Sequence, residues 1–339
     1  MNVSLYMTTK KEIMAKKSLS DIAKDINKNH GENALIKLDE IEFDAPRIPT
    51  GILAVDSILG GGLPKGKIAV ISGREGSGKS SLATMLAAQA QKDGKVVYID
   101  LENSFDPNKA LNSGVDMDEL FISQPRSAEE TLEVIEACLG ADDVSAIIVD
   151  SVAAMATEAQ IAGDYSDQHV AGLARVLSLG MNKINQYMVE NRKDTILLFV
   201  NQVRDIIGTM GGFGPTTTTP GGRALKFYAS TILEAARIGN VKRGEDIVGQ
   251  KTQITVKKSR FSAPFQKAAY DILFESGISN ESTVVDLATR AGRLEKNKGW
   301  YTDLRTGEKF NGKTNLLQAI ADNPAYGEEL YQEALTSIR

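Results

Sequence analysis

Hydrophobic and polar residues follow one another in long blocks, and the blocks predict two kinds of element. Continuous apolar runs, typical of strands buried on both faces of a parallel sheet, occupy residues 67–73, 95–102, 145–151 and 195–202. A helical repeat of small and apolar residues covers residues 80–94. Strands that alternate with helices predict an α/β fold, in which a mostly parallel central sheet is covered by helices on both faces.

The same patterns divide the chain into three parts, residues 1–40, 41–276 and 277–339. In the first part, a helix carries an apolar face formed by Leu19, Ile22, Ala23 and Ile26. A single helix cannot bury such a face, so we expect it to pack on the main domain or on another subunit. The middle part is the α/β domain, which we expect to gain antiparallel strands near its end. The last part is expected to form a small α/β domain.

Composition narrows the possible functions only slightly. The chain has 339 residues, of which 42% are hydrophobic and 24% charged, as in ordinary soluble domains. A net charge of −5 gives no overall attraction to nucleic acid, so DNA binding would need a local basic surface. Cys138 is the one cysteine, which excludes an internal disulfide and indicates a buried structural thiol. No apolar run is long enough to span a bilayer, so we expect a cytoplasmic protein without a membrane partner.

Residues 73–80, GREGSGKS, match the phosphate-binding pattern G-x-x-x-x-G-K-[ST] in full. An apolar strand precedes the pattern and a helix follows it, as the chemistry requires, because backbone N–H groups at a helix N-terminus attract phosphate. Lys79 can reach the β- and γ-phosphates, and Ser80 can ligate Mg²⁺. The predicted nucleotide-binding residues in this segment are Gly73, Arg74, Glu75, Gly76, Ser77, Gly78, Lys79, Ser80 and Ser81.

Polar residues follow the neighbouring apolar runs, where ligands bind in this class of fold. Asp150 is expected to complete the Mg²⁺ site opposite Ser80. Glu102, expected at the end of its strand, is the preferred base for the attacking water, with Asp100 as its competitor. The amide of Gln202 suits sensing of a γ-phosphate, because it offers hydrogen bonds without negative charge.

Taken in order along the chain, these motifs resemble the bacterial RecA recombinase family over nearly the whole length. The resemblance rests on IPTGILAVDSILGGGLPKGK (48–67), GREGSGKS (73–80), YIDLENSFDP (98–107), ISQP (122–125), IIVDSVAAM (147–155), LLFVNQVR (197–204), GGRALKFYAS (221–230), RIGNVKRGEDIVG (237–249) and APFQKAAYDILF (263–274). It implies a DNA-dependent ATPase that uses ATP and Mg²⁺ and polymerises into a helical filament on single-stranded DNA. Such proteins pair the bound strand with homologous double-stranded DNA in recombination and repair.

The resemblance also assigns roles by position. Glu102 matches the catalytic glutamate, Gln202 the residue that relays γ-phosphate binding to DNA binding, and Asp106 an adenine contact. Residues matching subunit-interface positions are Lys226, Phe227, Lys258 and Arg260, of which the last two match lysines that reach the neighbouring subunit's ATP. Arg260 is arginine where the family has lysine, and its planar guanidinium is suited to γ-phosphate charge. Without the resemblance, this basic pair would be interpreted as a solvated strand edge.

Two segments are candidates for DNA binding. In the first, residues 157–175, Arg175 is preferred because arginine can grip phosphate through two hydrogen bonds. The second, residues 208–224, holds six glycines and five threonines and has no charge before Arg223, so backbone N–H groups and wedging side chains would contact the strand. The predicted contacts are Arg175, Arg204, Gly208, Met210, Gly211, Gly212, Phe213, Thr217, Gly221, Gly222 and Arg223. This segment is about two residues longer than is usual in the family, and it lacks a common glutamate.

Other functions remain open at this point. A ring helicase or translocase of the same fold would share the phosphate loop and both acids, and a mediator protein would load another recombinase. The N-terminal helix and the basic pair favour the recombinase, and Lys79, Glu102 and Asp150 argue against a mediator without activity. In the C-terminal part, basic residues around Trp300 and Tyr301 either gather duplex DNA or form a solvated face over a core that contains Trp300.

Overall fold

The computed structural model describes residues 17–31, 34–37, 46–164, 172–191, 193–205, 217–218 and 220–338. They fall into two compact units, which divide between Ala45 and Pro46. The first unit contains helix α1 (Leu19–His30), which begins where the Ser18 side chain accepts a hydrogen bond from the backbone N–H of Asp21. No residue of α1 is buried, and Leu19 on its apolar face is 73% exposed.

The second unit begins with the strands and helices around the phosphate loop. In chain order they are β1 (Arg47–Ile48), α2 (Leu53–Leu59), β2 (Leu63–Pro64), β3 (Ile68–Gly73), α3 (Lys79–Ala90), β4 (Lys95–Asp100), α4 (Pro107–Asn112), β5 (Leu120–Ser123), α5 (Ala128–Leu139), β6 (Val144–Asp150), α6 (Glu158–Ala162), α7 (Gly172–Glu190) and β7 (Ile196–Gln202). A short 3₁₀ turn, Val152–Ala154, separates β6 from α6.

The remaining elements complete the sheet and form the C-terminal part. They are β8 (Arg204–Asp205), β9 (Thr217–Thr218), α8 (Ala224–Tyr228), β10 (Thr231–Arg243), β11 (Asp246–Ser259), β12 (Lys267–Leu273), β13 (Gly277–Ser279), α9 (Glu281–Arg290), β14 (Leu294–Asn297), β15 (Trp300–Asp303), β16 (Lys309–Asn311), α10 (Gly312–Asp322) and α11 (Pro324–Ile338). No helix in the described parts of the chain is both long and apolar enough to cross a bilayer.

Among the described residues, nine strands form one sheet in the order β13-β12-β11-β10-β3-β7-β6-β4-β5. The strands from β10 to β5 run parallel, and β11, β12 and β13 are antiparallel additions. The α/β class with a mostly parallel sheet is therefore confirmed. We expected β10 to be an antiparallel addition, and for its pairing with β3 that expectation is wrong. The two strands are parallel, because α8 returns the chain to the start of β3 before β10 begins.

Alternate residues of the parallel strands fill two separate cores, one on each face of the sheet. On one face, Ile71, Tyr98, Ile148 and Leu198 pack with α2 and α3. On the other, Val70, Ile99, Val149 and Phe199 pack with α5 and α7. Burial on both faces explains why these strands are apolar at every position.

The C-terminal part has a third core, formed by α9, α10, α11 and the antiparallel sheet β14-β15-β16. Tyr301 and Phe310 lie in this core, whereas Trp300 is 45% exposed. The alternative that put Trp300 in the core is wrong, because neighbouring strand residues point to opposite faces and Tyr301 takes the inner one. The boundary at residue 276 stays a prediction; β13, just after it, still belongs to the large sheet.

Candidate functional site: a nucleotide cleft at the carboxyl end of the sheet

The phosphate loop joins β3 to α3 at the carboxyl end of the parallel strands. Gly78 caps α3 with a left-handed backbone (φ 87°), and a Cβ added there would come within 2.6 Å of the Ile272 side chain. Glycine is favoured here because other residues rarely adopt this φ angle, and a Cβ would also displace the Ile272 side chain. The loop therefore directs the N-terminus of a 12-residue helix at the cleft, where its free N–H groups favour an anion.

Lys79 and Ser77 give the loop groups that suit a phosphate chain. Lys79 is only 7% exposed, and its Nζ donates to the carbonyl of Arg74 at 2.8 Å. Burial lowers the pKa of Lys79, while the nearby Asp150, Glu102 and Glu75 oppose that shift. The Ser77 hydroxyl is buried and has no hydrogen-bonding partner among the described residues. A buried hydroxyl without a partner beside a buried ammonium fits a phosphate oxygen.

A cleft of about 550 Å³ opens beside the loop, a size typical of sites for small molecules. The phosphate loop and the start of α3 form one end. Phe105, Asp106 and α4 form one wall, and residues 272–278 of β12 and β13 form the other. Asp106 caps α4, and backbone N–H groups, above all that of Lys109, lower the pKa of its carboxyl. Asp106 is therefore ionised and placed on the wall where the resemblance puts the adenine.

Asp150 ends β6, as expected, and lies in the cleft with Ser80. Burial raises the pKa of Asp150, while hydrogen bonds from the side chains of Ser80 and Tyr98 oppose the shift. Among the described residues, no group of three or more His, Cys, Asp or Glu residues could hold a metal ion. Mg²⁺ usually binds to one or two carboxylates and to substrate phosphates, so Ser80 and Asp150 fit that ion without a larger cluster.

Glu102 lies just beyond β4, which ends at Asp100 and not at Glu102 as expected. The backbone N–H of Leu101 donates to the carbonyl of Asp150 at 2.8 Å, which continues the ladder between β4 and β6 to the end of the strand. Oε1 of Glu102 accepts hydrogen bonds from Ser151 Oγ and, at 2.7 Å, from Gln202 Nε2. The competitor Asp100 accepts the backbone N–H groups of residues 104 and 105, so it shapes the loop, whereas Glu102 lies near enough to Lys79 and Asp150 to interact with their charges.

Gln202 connects the cleft to the glycine- and threonine-rich segment. It ends β7, and its side chain reaches Glu102 on the far side of β6. Next to it, Asn201 Nδ2 donates to the carbonyl of Pro220 at 3.0 Å, which ties both ends of the segment together. The short strands β8 and β9 then form an antiparallel hairpin base, in which Arg204 is paired with Thr218. Gln202 therefore lies two residues before the first strand of this hairpin base.

The residues predicted to contact DNA differ in how far the structure describes them. Gly208, Met210, Gly211, Gly212 and Phe213 lie outside the described residues, and Arg204 and Thr217 lie on β8 and β9. Arg175 and Arg223 are exposed. Gly221 and Gly222 have left-handed backbones, and Cβ atoms there would approach Leu177 and Ala174 of α7 to 2.7 and 2.9 Å. These glycines thus have a packing role, and their contact with DNA stays a prediction.

Lys258 and Arg260 lie at the opposite end of the sheet. Lys258 pairs with Ile232, which is level with Val70 of β3, and the backbone N–H of Arg260 donates to Ser230. At about 3.3 Å per residue, Arg260 is roughly 17 Å below Gly73 along the strand direction. Lys258 Nζ instead donates to the carbonyls of Lys226 and Phe227 on α8, at 2.8 and 3.3 Å. The predicted interface residues therefore form one cluster, away from this chain's own cleft.

Among the residues at the site that the sequence did not predict, Tyr98, Ser151 and Gln250 make hydrogen bonds there. Tyr98 donates to Asp150, Ser151 to Glu102, and Gln250 Nε2 to the carbonyl of Gly76 at 3.0 Å. The first two carried a weak signal, since a hydroxyl within a buried apolar strand, or beside a strand-end acid, requires a partner. Gln250 carried none, because its contact depends on the fold of β11 over the loop.

Comparison with known proteins agrees with this geometry. Residues 17–279 match the family model described as the RecA N-terminal domain. The chain is 39% identical over 323 residues to Protein RecA of Caldanaerobacter subterraneus subsp. tengcongensis, covering 94% of this chain and 92% of that protein. It is 40% identical over 321 residues to Protein RecA of Macrococcus caseolyticus, covering 94% and 89%.

A solved structure supports the fold separately. The crystal structure of the RadB recombinase superposes with a TM-score of 0.52 at 22% identity, covering 68% of this chain and 98% of that chain. At this identity the likeness concerns the fold alone. The family model and the relatives extend over far more than half of the chain. The chain therefore belongs to the RecA family.

Proposed function

We propose that this protein is an ATP-dependent DNA recombinase, which forms helical filaments on single-stranded DNA and exchanges strands with homologous duplex DNA. Family membership supports the proposal, and one observation carries it for this chain. The hydrogen bond between Gln202 and Glu102 links the acid beside the nucleotide cleft to the strand that leads into the hairpin base of a glycine- and threonine-rich segment. A protein that couples ATP to the grip on DNA requires such a connection.

ATP binding would use the phosphate loop, residues 73–81, with Lys79 and the Ser77 hydroxyl at the phosphates. Ser80 and Asp150 would hold Mg²⁺, which neutralises phosphate charge when bound. Glu102 is oriented by Ser151 and Gln202 and would accept the proton of the water that attacks the γ-phosphate. ADP and phosphate are the products. Gln202 would leave Glu102 when its amide turns to the γ-phosphate, and that movement would alter β8.

Filament formation would join the two ends of the sheet in neighbouring subunits. Lys258 and Arg260 lie too far from this chain's cleft to act on its own nucleotide, so they would complete the cleft of the next subunit. Phe227 is 71% exposed beside them, which suits burial at an interface. The exposed apolar face of α1 would dock on an adjacent subunit for the same reason.

Two measurements on the full chain test this proposal together. We expect single-stranded DNA to stimulate ATP hydrolysis, and electron microscopy with ATP and DNA to reveal helical filaments. Hydrolysis that is indifferent to DNA, together with closed rings, would favour the ring helicase or translocase. DNA binding with no hydrolysis at all would favour a mediator that loads another recombinase.

A further inference from the structure

Tyr98 is a buried residue whose side chain lines the nucleotide cleft. It lies within β4 and is paired with Ile148 of β6, two residues before Asp150. Its hydroxyl donates to Asp150 Oδ2 at 2.8 Å. Tyr98 lines the same cleft as Ser80 and Asp150, although it is only 3% exposed. The phenol therefore lies directly behind the carboxylate that we assign to Mg²⁺.

The ring of Tyr98 is held firmly enough to orient its partner. The Phe105 ring meets it edge-on, with 5.0 Å between the ring centroids and an angle of 61°. Phe105 is itself fixed by its backbone N–H, which donates to Asp100 Oδ2 at 3.0 Å. The strand fixes the backbone and the second ring limits rotation of the first, which restricts where the hydroxyl can lie.

A neutral hydroxyl is the donor that this place requires. Asp150 is buried, and burial disfavours its charged form unless donors compensate. A lysine or arginine would stabilise the charge but would also compete with a bound cation for the same oxygens. A tyrosine hydroxyl keeps its proton at neutral pH, since the ordinary pKa of a phenol is about 10. It can donate to the carboxylate without adding charge.

We propose that Tyr98 is a positioning residue for the Mg²⁺–nucleotide site, which holds the Asp150 carboxylate in the orientation that binds the ion. This inference rests on the proposed function of the cleft. Groups that hydrogen-bond a metal ligand from behind typically contribute 10- to 100-fold to metal affinity, and the hydroxyl of Tyr98 is such a group for Asp150.

The test compares two substitutions that each remove one buried hydroxyl. Tyr98→Phe keeps the ring and its contact with Phe105. Tyr270→Phe is the matched control, because Tyr270 is 1% exposed and its hydroxyl has no partner among the described residues. Binding of a fluorescent, non-hydrolysable ATP analogue to the full chain is measured as Mg²⁺ is titrated. Thermal unfolding without ligand records the stability of each variant.

We expect Tyr98→Phe to need about tenfold more Mg²⁺ for half-maximal binding, with binding of the analogue in EDTA unchanged. Tyr270→Phe should match the wild type. A wild-type Mg²⁺ requirement in Tyr98→Phe would overturn this inference and leave the proposed function intact. A wild-type protein that binds no nucleotide with Mg²⁺ would overturn both.

A second variant keeps the test decisive if Tyr98→Phe does not fold. Phe105→Leu retains the Tyr98 hydroxyl and removes the ring that limits its rotation. We expect a smaller rise in the Mg²⁺ requirement, in the same direction. An unchanged requirement in this variant would also contradict the proposal.

Discussion

The two ends of the parallel sheet are built in different ways. At the carboxyl end, Lys79, Asp150 and Glu102 all have hydrogen-bonding partners within the chain. At the amino end, Lys226 and Phe227 are exposed, and Lys258 donates to backbone carbonyls of the described residues 226 and 227. The carboxyl end is held together by hydrogen bonds within the chain, whereas the amino end exposes charge and an aromatic ring, which we propose meet a neighbouring subunit.

The largest effect is expected from removing the central cation of the carboxyl end. Lys79→Ala should lower kcat/KM for ATP by about 10³-fold, since the phosphates lose a buried charge that favours the transition state. Steady-state ATP hydrolysis with single-stranded DNA is the measurement. Lys92→Ala is the control, because that lysine bonds to Gln89 on the surface beyond α3. Equal losses in both variants would contradict the role of Lys79.

Removing the base should separate chemistry from binding. Glu102→Gln is expected to slow hydrolysis by about 10²-fold, because the amide cannot take the proton of water. Binding of the ATP analogue and filament formation should persist, since the amide oxygen can still accept from Ser151. Single-turnover hydrolysis and equilibrium binding measure the two parts. Loss of nucleotide binding would make Glu102 a structural residue and would refute its assignment as the base.

Substitutions at the amino end of the sheet should reduce hydrolysis without weakening nucleotide binding by the single chain. Lys258→Ala combined with Arg260→Ala is expected to lower DNA-stimulated hydrolysis by about 10²-fold, because charges supplied by the neighbouring subunit would stabilise the transition state. Binding of the ATP analogue to unassembled protein should not change. Lys257→Ala is a close control, since Lys257 precedes the pair and bridges to Glu234 at 2.9 Å. Weaker nucleotide binding in the unassembled double variant would mean that the pair acts within its own chain.

The smallest effect is expected from a substitution that changes stability and leaves hydrolysis unchanged. Tyr270→Phe removes a buried hydroxyl that lacks a partner among the described residues, so the free energy of unfolding should rise by about 1 kcal/mol. Urea unfolding followed by circular dichroism measures it. Hydrolysis should stay at the wild-type rate. A marked fall in stability would mean that the hydroxyl is satisfied in the folded protein.

Sequence patterns identified the parts of this molecule that depend on local chemistry. The apolar runs predicted the central strands because burial on both faces leaves no polar position, and residues 73–80 predicted the phosphate loop because its glycines have no substitute. Asp150 followed from its place at a strand end. The assignments of catalytic, metal-binding and DNA-binding roles stay predictions. Most of the glycine- and threonine-rich segment lies outside the described residues.

What the sequence could not supply depends on contacts between distant segments. The parallel entry of β10 depends on where α8 returns the chain, and the exposure of Trp300 depends on which face of β15 turns inward. The hydroxyls of Tyr98 and Ser151 are meaningful only once β4 and β6 lie side by side in register. The hydrophobic pattern of a strand predicts which of its faces is buried, but it does not predict which other strand pairs with it.

We propose that Gln202 couples the nucleotide in the cleft to DNA binding at the hairpin base. The affinity for single-stranded DNA with different nucleotides tests this coupling. The affinity of the full chain for a fluorescent single-stranded DNA is compared between Mg²⁺ with an ATP analogue and Mg²⁺ with ADP, for the wild type and Gln202→Ala. We expect at least about tenfold tighter binding with the ATP analogue in the wild type, a coupling of about 1.4 kcal/mol. In Gln202→Ala that difference should vanish while the analogue still binds. A difference that survives intact in Gln202→Ala would contradict the claim.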